Sequence, residues 1–400
     1  VNDATSAGPT APGFEQITTT AAAASYSSAT KVLHTAAKRF PDRSPIRQVQ
    51  IPPAPHTVEQ YLTMYCQAQC AHCNAWQRNR ALGETEMPPE MAWRLHRSLK
   101  RMGVRGVQYC GGGEPTVWRG GRVADLIADL DAGTMRAGMA SNLIRGHVLA
   151  RPEVLANMQF IEAAVFAYDD AGYRLVAGGK RFHTALERSV RRILQVRNEA
   201  GLTRPRVNAK IIINNVNYGW LRQIYSWAAG IGFDNIHLRL ADDYEGRGGF
   251  VLDPEERVRF RADLERLVDD HGLGSWAAQI GHIMGEGAKG AAGEHHWCWT
   301  VAAGLNCWVL ADGGVYVCGP QWGRKEYLIG NLNGGDLEDI WGSEQHYEVA
   351  RRLIANMGLS RCYELGCRHI HQGRAIDAWA AGDLQAPPAE AFAEQDAWFL

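Results

Sequence analysis

Two spacings of apolar residues alternate between residues 51 and 271. Short, continuous apolar runs recur at Val58–Met64, Arg105–Cys110, Arg136–Ala140, Phe160–Ala167, Val207–Ile213 and Asn235–Leu240. Runs of this length with β-branched residues predict buried strands. Between them the apolar positions return every three or four residues. Pro88–Met102 puts Met91, Leu95 and Leu99 on one face, and Ala185–Ala200 does the same with Val190, Ile193, Leu194 and Val196. Val123–Leu130, Trp220–Ala229 and Pro254–His271 complete the predicted helices, the last with proline in its first turn. Six strand–helix units over about 210 residues predict a parallel sheet with helices outside. A closed eight-unit barrel takes about 250 residues. Six units therefore predict an open, partial (β/α)6 TIM-like barrel of class α/β over residues 51–275.

Outside that block the pattern fades. Residues 1–50 are rich in Ala, Thr, Ser and Pro, and are expected to be a mobile segment or a partly helical cover. Ile51-Pro-Pro-Ala-Pro55 makes a stiff entry into the first strand. A glycine-rich linker opens a small cysteine-rich C-terminal domain over residues 276–375. Residues 376–400 form an Ala/Glu-rich tail that either docks a short helix or stays loose.

Composition narrows the classes. Hydrophobic residues make up 46% of the 400, enough for a substantial core. Lys+Arg total 42 against Asp+Glu 43, a formal net charge of -1, which argues against nucleic acid as a partner. No apolar run reaches membrane-spanning length, and the start Val1-Asn-Asp-Ala-Thr lacks the pattern of a signal peptide. A cytoplasmic protein is expected. Nine cysteines in such a chain point to metal or redox chemistry rather than disulfides.

Three of those cysteines fall within eight residues, Cys66-Gln-Ala-Gln-Cys70-Ala-His-Cys73, after the first strand. Three thiolates on one loop can hold three irons of a [4Fe–4S] cube, leaving the fourth iron open. A zinc site needs four ligands, and His72, wedged between two cysteines, strains as the fourth. Reactive groups collect at the C-terminal ends of parallel strands. Gly111-Gly-Gly-Glu-Pro115 follows strand two there, Ser141-Asn142 strand three, Tyr168-Asp-Asp170 strand four, and Arg239 lies near the end of strand six. Glycines let the backbone approach a ligand closely, and Glu114 sets a carboxylate beside them.

The C-x3-C-x2-C spacing followed one strand later by Gly-Gly-Glu resembles the radical S-adenosylmethionine (radical SAM) superfamily. That resemblance implies a [4Fe–4S] cluster on Cys66, Cys70 and Cys73, with SAM on the open iron. SAM would then be split to a 5′-deoxyadenosyl radical that takes a hydrogen atom from the substrate. It places Gly111, Gly112, Gly113 and Glu114 at the methionine amino group, His72 beside adenine, Ser141 and Asn142 at the ribose or carboxylate, and Arg239 at the SAM carboxylate or the substrate. Asp169, Asp170 and Asp242 become candidate substrate contacts.

A second set, Cys298, Cys307, Cys318, Cys362 and Cys367, spans a predicted hairpin with strands at Trp308–Leu310 and Val315–Val317. It is similar to the SPASM and shorter Twitch extensions of that superfamily, which bind auxiliary iron–sulfur clusters. The C-x2-C-x5-C-x3-C run of a full SPASM extension is absent, so one auxiliary [4Fe–4S] cluster on Cys298, Cys318, Cys362 and Cys367 is implied, with Cys307 spare. A zinc ribbon is the structural alternative.

The resemblance implies hydrogen abstraction from a C–H bond, with two outcomes. Electron loss to the auxiliary cluster gives dehydrogenation. Hydrogen return from a thiol, Cys307 or Cys110, gives epimerisation. The expected substrate is a small hydroxyl-rich sugar or aminocyclitol of antibiotic-type biosynthesis, with flavodoxin or ferredoxin as electron donor. The alternatives are a maturase of ribosomally made peptides and a zinc-stabilised interaction protein.

Overall fold

The computed structural model describes residues 28–40, 48–75, 79, 83–243, 246, 248–277, 280–284, 297–356, 362, 367, 369–386 and 398–399. The strands are β1 (Thr57–Gln60), β2 (Gly106–Tyr109), β3 (Arg136–Ser141), β4 (Met158–Val165), β5 (Arg206–Ile213), β6 (Asn235–Leu240), β7 (Asn306–Val309), β8 (Gly314–Tyr316) and β9 (Leu328–Asn331). The principal helices are α1 (Ser28–Arg39), α2 (Pro89–Met102), α3 (Val123–Ala128), α4 (Asp170–Ala177), α5 (Phe182–Glu199), α6 (Leu221–Ile231), α7 (Pro254–His271), α8 (Glu344–Ala355) and α9 (His369–Ala381).

All nine strands join one sheet in the order β6-β5-β4-β3-β2-β1-β7-β8-β9. Strands β1 to β6 are parallel and lie in chain order. Right-handed crossovers in sequential order return each helix to the same face, so the other face curls inward. The result is the partial (β/α)6 TIM-like barrel that the periodicity predicted. In β4 the residues Ile161, Ala163 and Val165 are fully buried, while Glu162 and Ala164 face the interior, the period-two alternation of a strand. Helix α2 begins with proline at its first turn and ends at Gly103, whose φ of 75° lets its N–H close onto Leu99 and Lys100. Helix α7 opens on a capping box between Asp253 and Glu256.

One predicted loop is a helix. Asp169 and Asp170, expected as substrate contacts, begin α4. Asp169 is its N-cap, accepting from Gly172 N at 2.7 Å. Asp170 accepts from the Thr184 N–H and hydroxyl at 3.1 and 2.5 Å, tying α4 to α5.

The C-terminal hairpin lengthens the barrel sheet, because β7 pairs with β1 in parallel and β8 and β9 follow antiparallel. Of the first fifty residues, α1 packs Val32, Leu33 and Ala36 against Trp299, Ile376 and Trp379 of the C-terminal part, and Arg39 donates to the Ala303 carbonyl at 3.0 Å. Residues 1–27, 41–47 and 285–296 lie outside the described residues. Near the end of the chain Trp398 and Phe399 seat under the barrel. Thr57 Oγ1 donates to the Trp398 carbonyl at 3.0 Å, and Phe399 meets Phe160 edge-on at 5.1 Å. Among the described residues no helix is long and apolar enough to cross a membrane.

Candidate active site

The C-terminal ends of the barrel strands surround a cavity of about 780 Å³. Cys66, His72, Glu114, Asn142 and Arg239 line it together with Cys70, Cys73, Gly111, Gly112, Gly113, Ser141 and Asp242. Cys66 and Asp242, 176 positions apart in sequence, thus share one chamber. The cysteine loop is fastened from two sides. Gln69 N and Ala71 N donate to the carbonyls of Ala177 and Val176 at the end of α4, at 2.9 and 3.2 Å. The glycine loop closes from the other side, with Gly113 N on Thr63 O at 2.8 Å and Glu114 N on Tyr65 O at 2.9 Å.

That closure explains two of the glycines. A Cβ at Gly113 would stand 1.8 Å from the Tyr65 carbonyl oxygen. At Gly111, where φ is 58°, it would enter the Tyr61 ring at 2.1 Å. The sequence pointed to a ligand as the reason for close approach. The nearest obstacle is the chain leading into Cys66.

Glu114 is the hub of this wall and only 3% exposed. Its carboxylate accepts from Ser141 Oγ and Thr116 Oγ1 at 2.6 Å, from Thr116 N at 3.0 Å and from Asn142 N at 2.8 Å. Burial raises its pKa, and those donors restrain the rise. Most of the bonds fall on Oε1, so Oε2 keeps acceptor capacity. Asn142 reaches on: Nδ2 donates to Cys66 Sγ at 3.7 Å, and Oδ1 accepts from Gln67 Nε2 at 3.1 Å. Glu114 therefore positions the residues that in turn position the cysteine loop.

His72 is buried. Its Nδ1 lies 3.1 Å from Asn214 Nδ2. An amide nitrogen only donates, so Nδ1 accepts and the ring carries its proton on Nε2. Phe166 meets the ring edge-on at 4.7 Å. On the opposite wall Arg239 and Asp242 form an ion pair.

Two wall residues escaped the sequence reading. Lys210 Nζ lies 2.8 Å from Glu162 Oε2, and His237 Nδ1 lies 3.7 Å from Glu162 Oε1. Burial opposes ionisation of Glu162, yet Lys210 and His237 hold its carboxyl well below the usual range. The signal was present as a charge in the middle of each buried strand, Phe160-Ile-Glu162-Ala and Asn208-Ala-Lys210-Ile.

The two thiols expected as hydrogen donors lie elsewhere. Cys110 directly follows β2 and is absent from the chamber lining, and its thiol donates to the Glu59 carboxylate at 3.3 Å. Cys307 is fully buried on β7 opposite Val58 and lines neither thiol-bearing cavity. Asp169 and Asp170 cap and tie helices, as described above, and do not line the chamber.

A second, small cavity is lined by Cys298, Cys318, Cys362 and Cys367 with Tyr327, Gln321 and His369. Burial pushes the Cys298 and Cys318 thiols up, and the neighbouring thiols add to it. In the first cavity burial, then Glu114 and Cys73, push Cys66 up to about 12. Among the described residues no three His, Cys, Asp or Glu side chains converge as they would on a single metal ion. An iron–sulfur cluster is held by thiolates, and its positive charge would favour that form against the burial of these thiols.

Residues 298–368 match the SPASM family, an iron–sulfur cluster-binding domain. Over 126 residues the chain is 27% identical to a probable GTP 3′,8-cyclase of Thermococcus kodakarensis, a match covering 32% of this chain and 40% of that protein. The solved structure of native anSMEcpe with bound AdoMet superposes over 82% of this chain and 97% of its own, with TM-score 0.53 at 13% identity. Streptococcus suis SuiB bound to precursor peptide SuiA matches 78% of this chain and 69% of its own, with TM-score 0.52 at 14% identity. These structural likenesses are likenesses of fold.

Proposed function

We propose that this chain, a radical SAM fold carrying a C-terminal SPASM domain, activates a C–H bond of a small polar substrate. Cys66, Cys70 and Cys73 would hold a [4Fe–4S] cluster, and Cys298, Cys318, Cys362 and Cys367 an auxiliary one. When bound, the first cluster and SAM together supply a one-electron cleavage that yields an abstracting radical. The chain does the rest. Glu114 Oε2 accepts from an ammonium group at the chamber wall, with Ser141 and Asn142 held in place around it. His72 presents Nε2–H at a fixed angle. The strand ends hold the three cysteines, Glu114 and the charged wall around one chamber, so that the reacting groups are positioned together.

The observation that carries this reading is the single chamber shared by three thiols, the Gly-Gly-Gly-Glu loop and a charged far wall. That wall, Glu162, Lys210, Arg239 and Asp242, offers anions and cations a few ångströms apart. It fits a compact substrate bearing hydroxyl and amino groups, which favours a sugar or aminocyclitol undergoing dehydrogenation or epimerisation. With Cys307 and Cys110 away from the chamber wall, oxidation fits better than thiol donation. A second reading, a side chain of a ribosomal peptide, has its own support, since SuiB carries a precursor peptide on this fold.

Anaerobically reconstituted protein is expected to hold roughly eight irons, as two cubes require, and to release 5′-deoxyadenosine from SAM and dithionite. Cys66→Ala should abolish that release while leaving the auxiliary iron. Colourless protein with stoichiometric zinc would overturn the proposal. Polyhydroxylated amines and short peptides, offered separately, decide between the substrate readings by which class is consumed.

A further inference from the structure

The outer face of helices α4 and α5 is cationic and abuts the cysteine loop. Arg174, Lys180, Arg181, Arg188 and Arg192 are exposed. None of the five forms an ion pair or hydrogen bond through its side chain among the described residues. Arg188 and Arg192, four residues apart, share one face of α5, and Arg181 is the residue that caps its start. Arg191 and Glu187 pair with each other beside this stripe at 2.8 Å. The chain's net charge is only -1, so this is a local concentration rather than a general excess.

An exposed leucine lies among these cations. Leu175 is 67% exposed, far above the ordinary burial of a leucine. It belongs to the last turns of α4, whose Val176 and Ala177 carbonyls accept from Ala71 N and Gln69 N. Cys70 stands between those two donors. Gln69 and Ala71 are exposed as well, and Gln69 lies against Gly178, where an added Cβ would be 3.5 Å from that of Gln69. The patch therefore abuts the cysteine loop at Gln69 and Ala71, beside the rim of the chamber that Gln69 also lines.

We infer that this face is the docking surface for an acidic one-electron carrier protein that reduces the cluster at Cys66, Cys70 and Cys73. The inference rests on the cluster reading of that loop. Charge complementarity selects the occupant: a protein with a carboxylate-lined rim around its redox group would meet five unpaired cations, with Leu175 as the apolar contact. Opposite charges on two surfaces raise encounter rates by roughly 10- to 1,000-fold at low salt, and screening removes the gain. The electron passes from the reduced carrier to the cluster, which drops by one charge while the carrier is oxidised by one electron.

The test compares two reductants on the reconstituted protein, following cluster bleaching by visible absorbance and the reduced-cluster signal by electron paramagnetic resonance. The probes are photoreduced bacterial flavodoxin and dithionite. For Arg174→Glu/Lys180→Glu/Arg181→Glu the flavodoxin rate at low salt should fall at least about tenfold, and the dithionite rate should not change. Added salt should slow the unaltered protein towards the variant. Leu175→Ser should slow flavodoxin reduction without altering the salt dependence. Equal flavodoxin rates in the triple variant and the unaltered protein would overturn the docking surface while leaving the cluster reading intact. Absence of cluster absorbance in the unaltered protein would instead sink that reading. If the triple Glu variant loses its cluster, the Gln versions of the same three positions decide, with the same expectation in smaller degree.

Discussion

Single residues in the chamber wall act through their partners. Glu114 illustrates this: four donors from its own chain hold it, so its effect on any ligand includes its effect on Ser141 and Asn142. Glu162 is the stronger case because it lies half-buried beside Lys210 and His237. Lys210→Met leaves that carboxylate without its nearest cation. The expected cost is about 2 kcal/mol at pH 7, discounted from the full cost of breaking a buried pair because both side chains retain some solvent. The sign with pH follows from the depressed folded-state pKa of Glu162. Its stabilisation is present above the ordinary carboxyl value of 4.5 and is lost as pH falls below it through the folded-state value. The stability gap between variant and parent, read from urea midpoints, should therefore narrow on acidification. A gap that stays constant from pH 7 to pH 3 would mean the pair contributes nothing through charge.

At the level of elements, the chamber depends on how closely the glycine loop lies against residues 61–65. Gly113→Ala sets a methyl group against the Tyr65 carbonyl oxygen, and every obstructing atom is Tyr65 backbone, which cannot swing aside as a side chain would. The variant is expected to lose about 3 kcal/mol, measured by thermal melting of the metal-free protein. Because the displaced segment leads into Cys66, its iron uptake should fall too. Gly120→Ala makes a comparison, since nothing stands within 4 Å of the added Cβ there and only the positive φ of 75° is strained. A melting temperature for Gly113→Ala equal to that of Gly120→Ala would contradict the tight closure. The helices carry their own signals in sequence: Pro89 and Gly103 bound α2, and Asp253 with Glu256 and Gly272 bounds α7.

At the scale of the whole molecule, the barrel and the cysteine-rich part share one sheet. Four residue pairs join β1 to β7, from Thr57↔Asn306 to Gln60↔Val309. Trp322, four residues after Cys318, meets Tyr61 edge-on at 5.5 Å, and Tyr61 packs on Gly111 of the chamber. A backbone ladder and a shared aromatic contact couple the two cavities mechanically. The metal-free protein is therefore expected to unfold in one cooperative calorimetric transition, with equal van't Hoff and calorimetric enthalpies. Two resolved transitions would show that the C-terminal part folds separately from the barrel.

The sequence by itself determined what is local. The spacing of Cys66, Cys70 and Cys73, the Gly111–Glu114 run and the alternating periods are written in neighbouring residues, and those are sufficient to give the chemistry and the strand–helix order. Helix α4 was missed because Asp169 and Asp170 read equally well as loop acids until the N-cap bond to Gly172 is seen. Tertiary structure alone decided which distant side chains meet. Glu162 meets Lys210 across two strands because their register sets both on the inward row. Cys298, Cys318, Cys362 and Cys367 share a cavity and Cys307 does not, because β7 pairs with β1 and turns the Cys307 side chain to the other face. A strand shows alternate residues to opposite sides, so pairing and register, which no short motif encodes, choose which residues face the chamber.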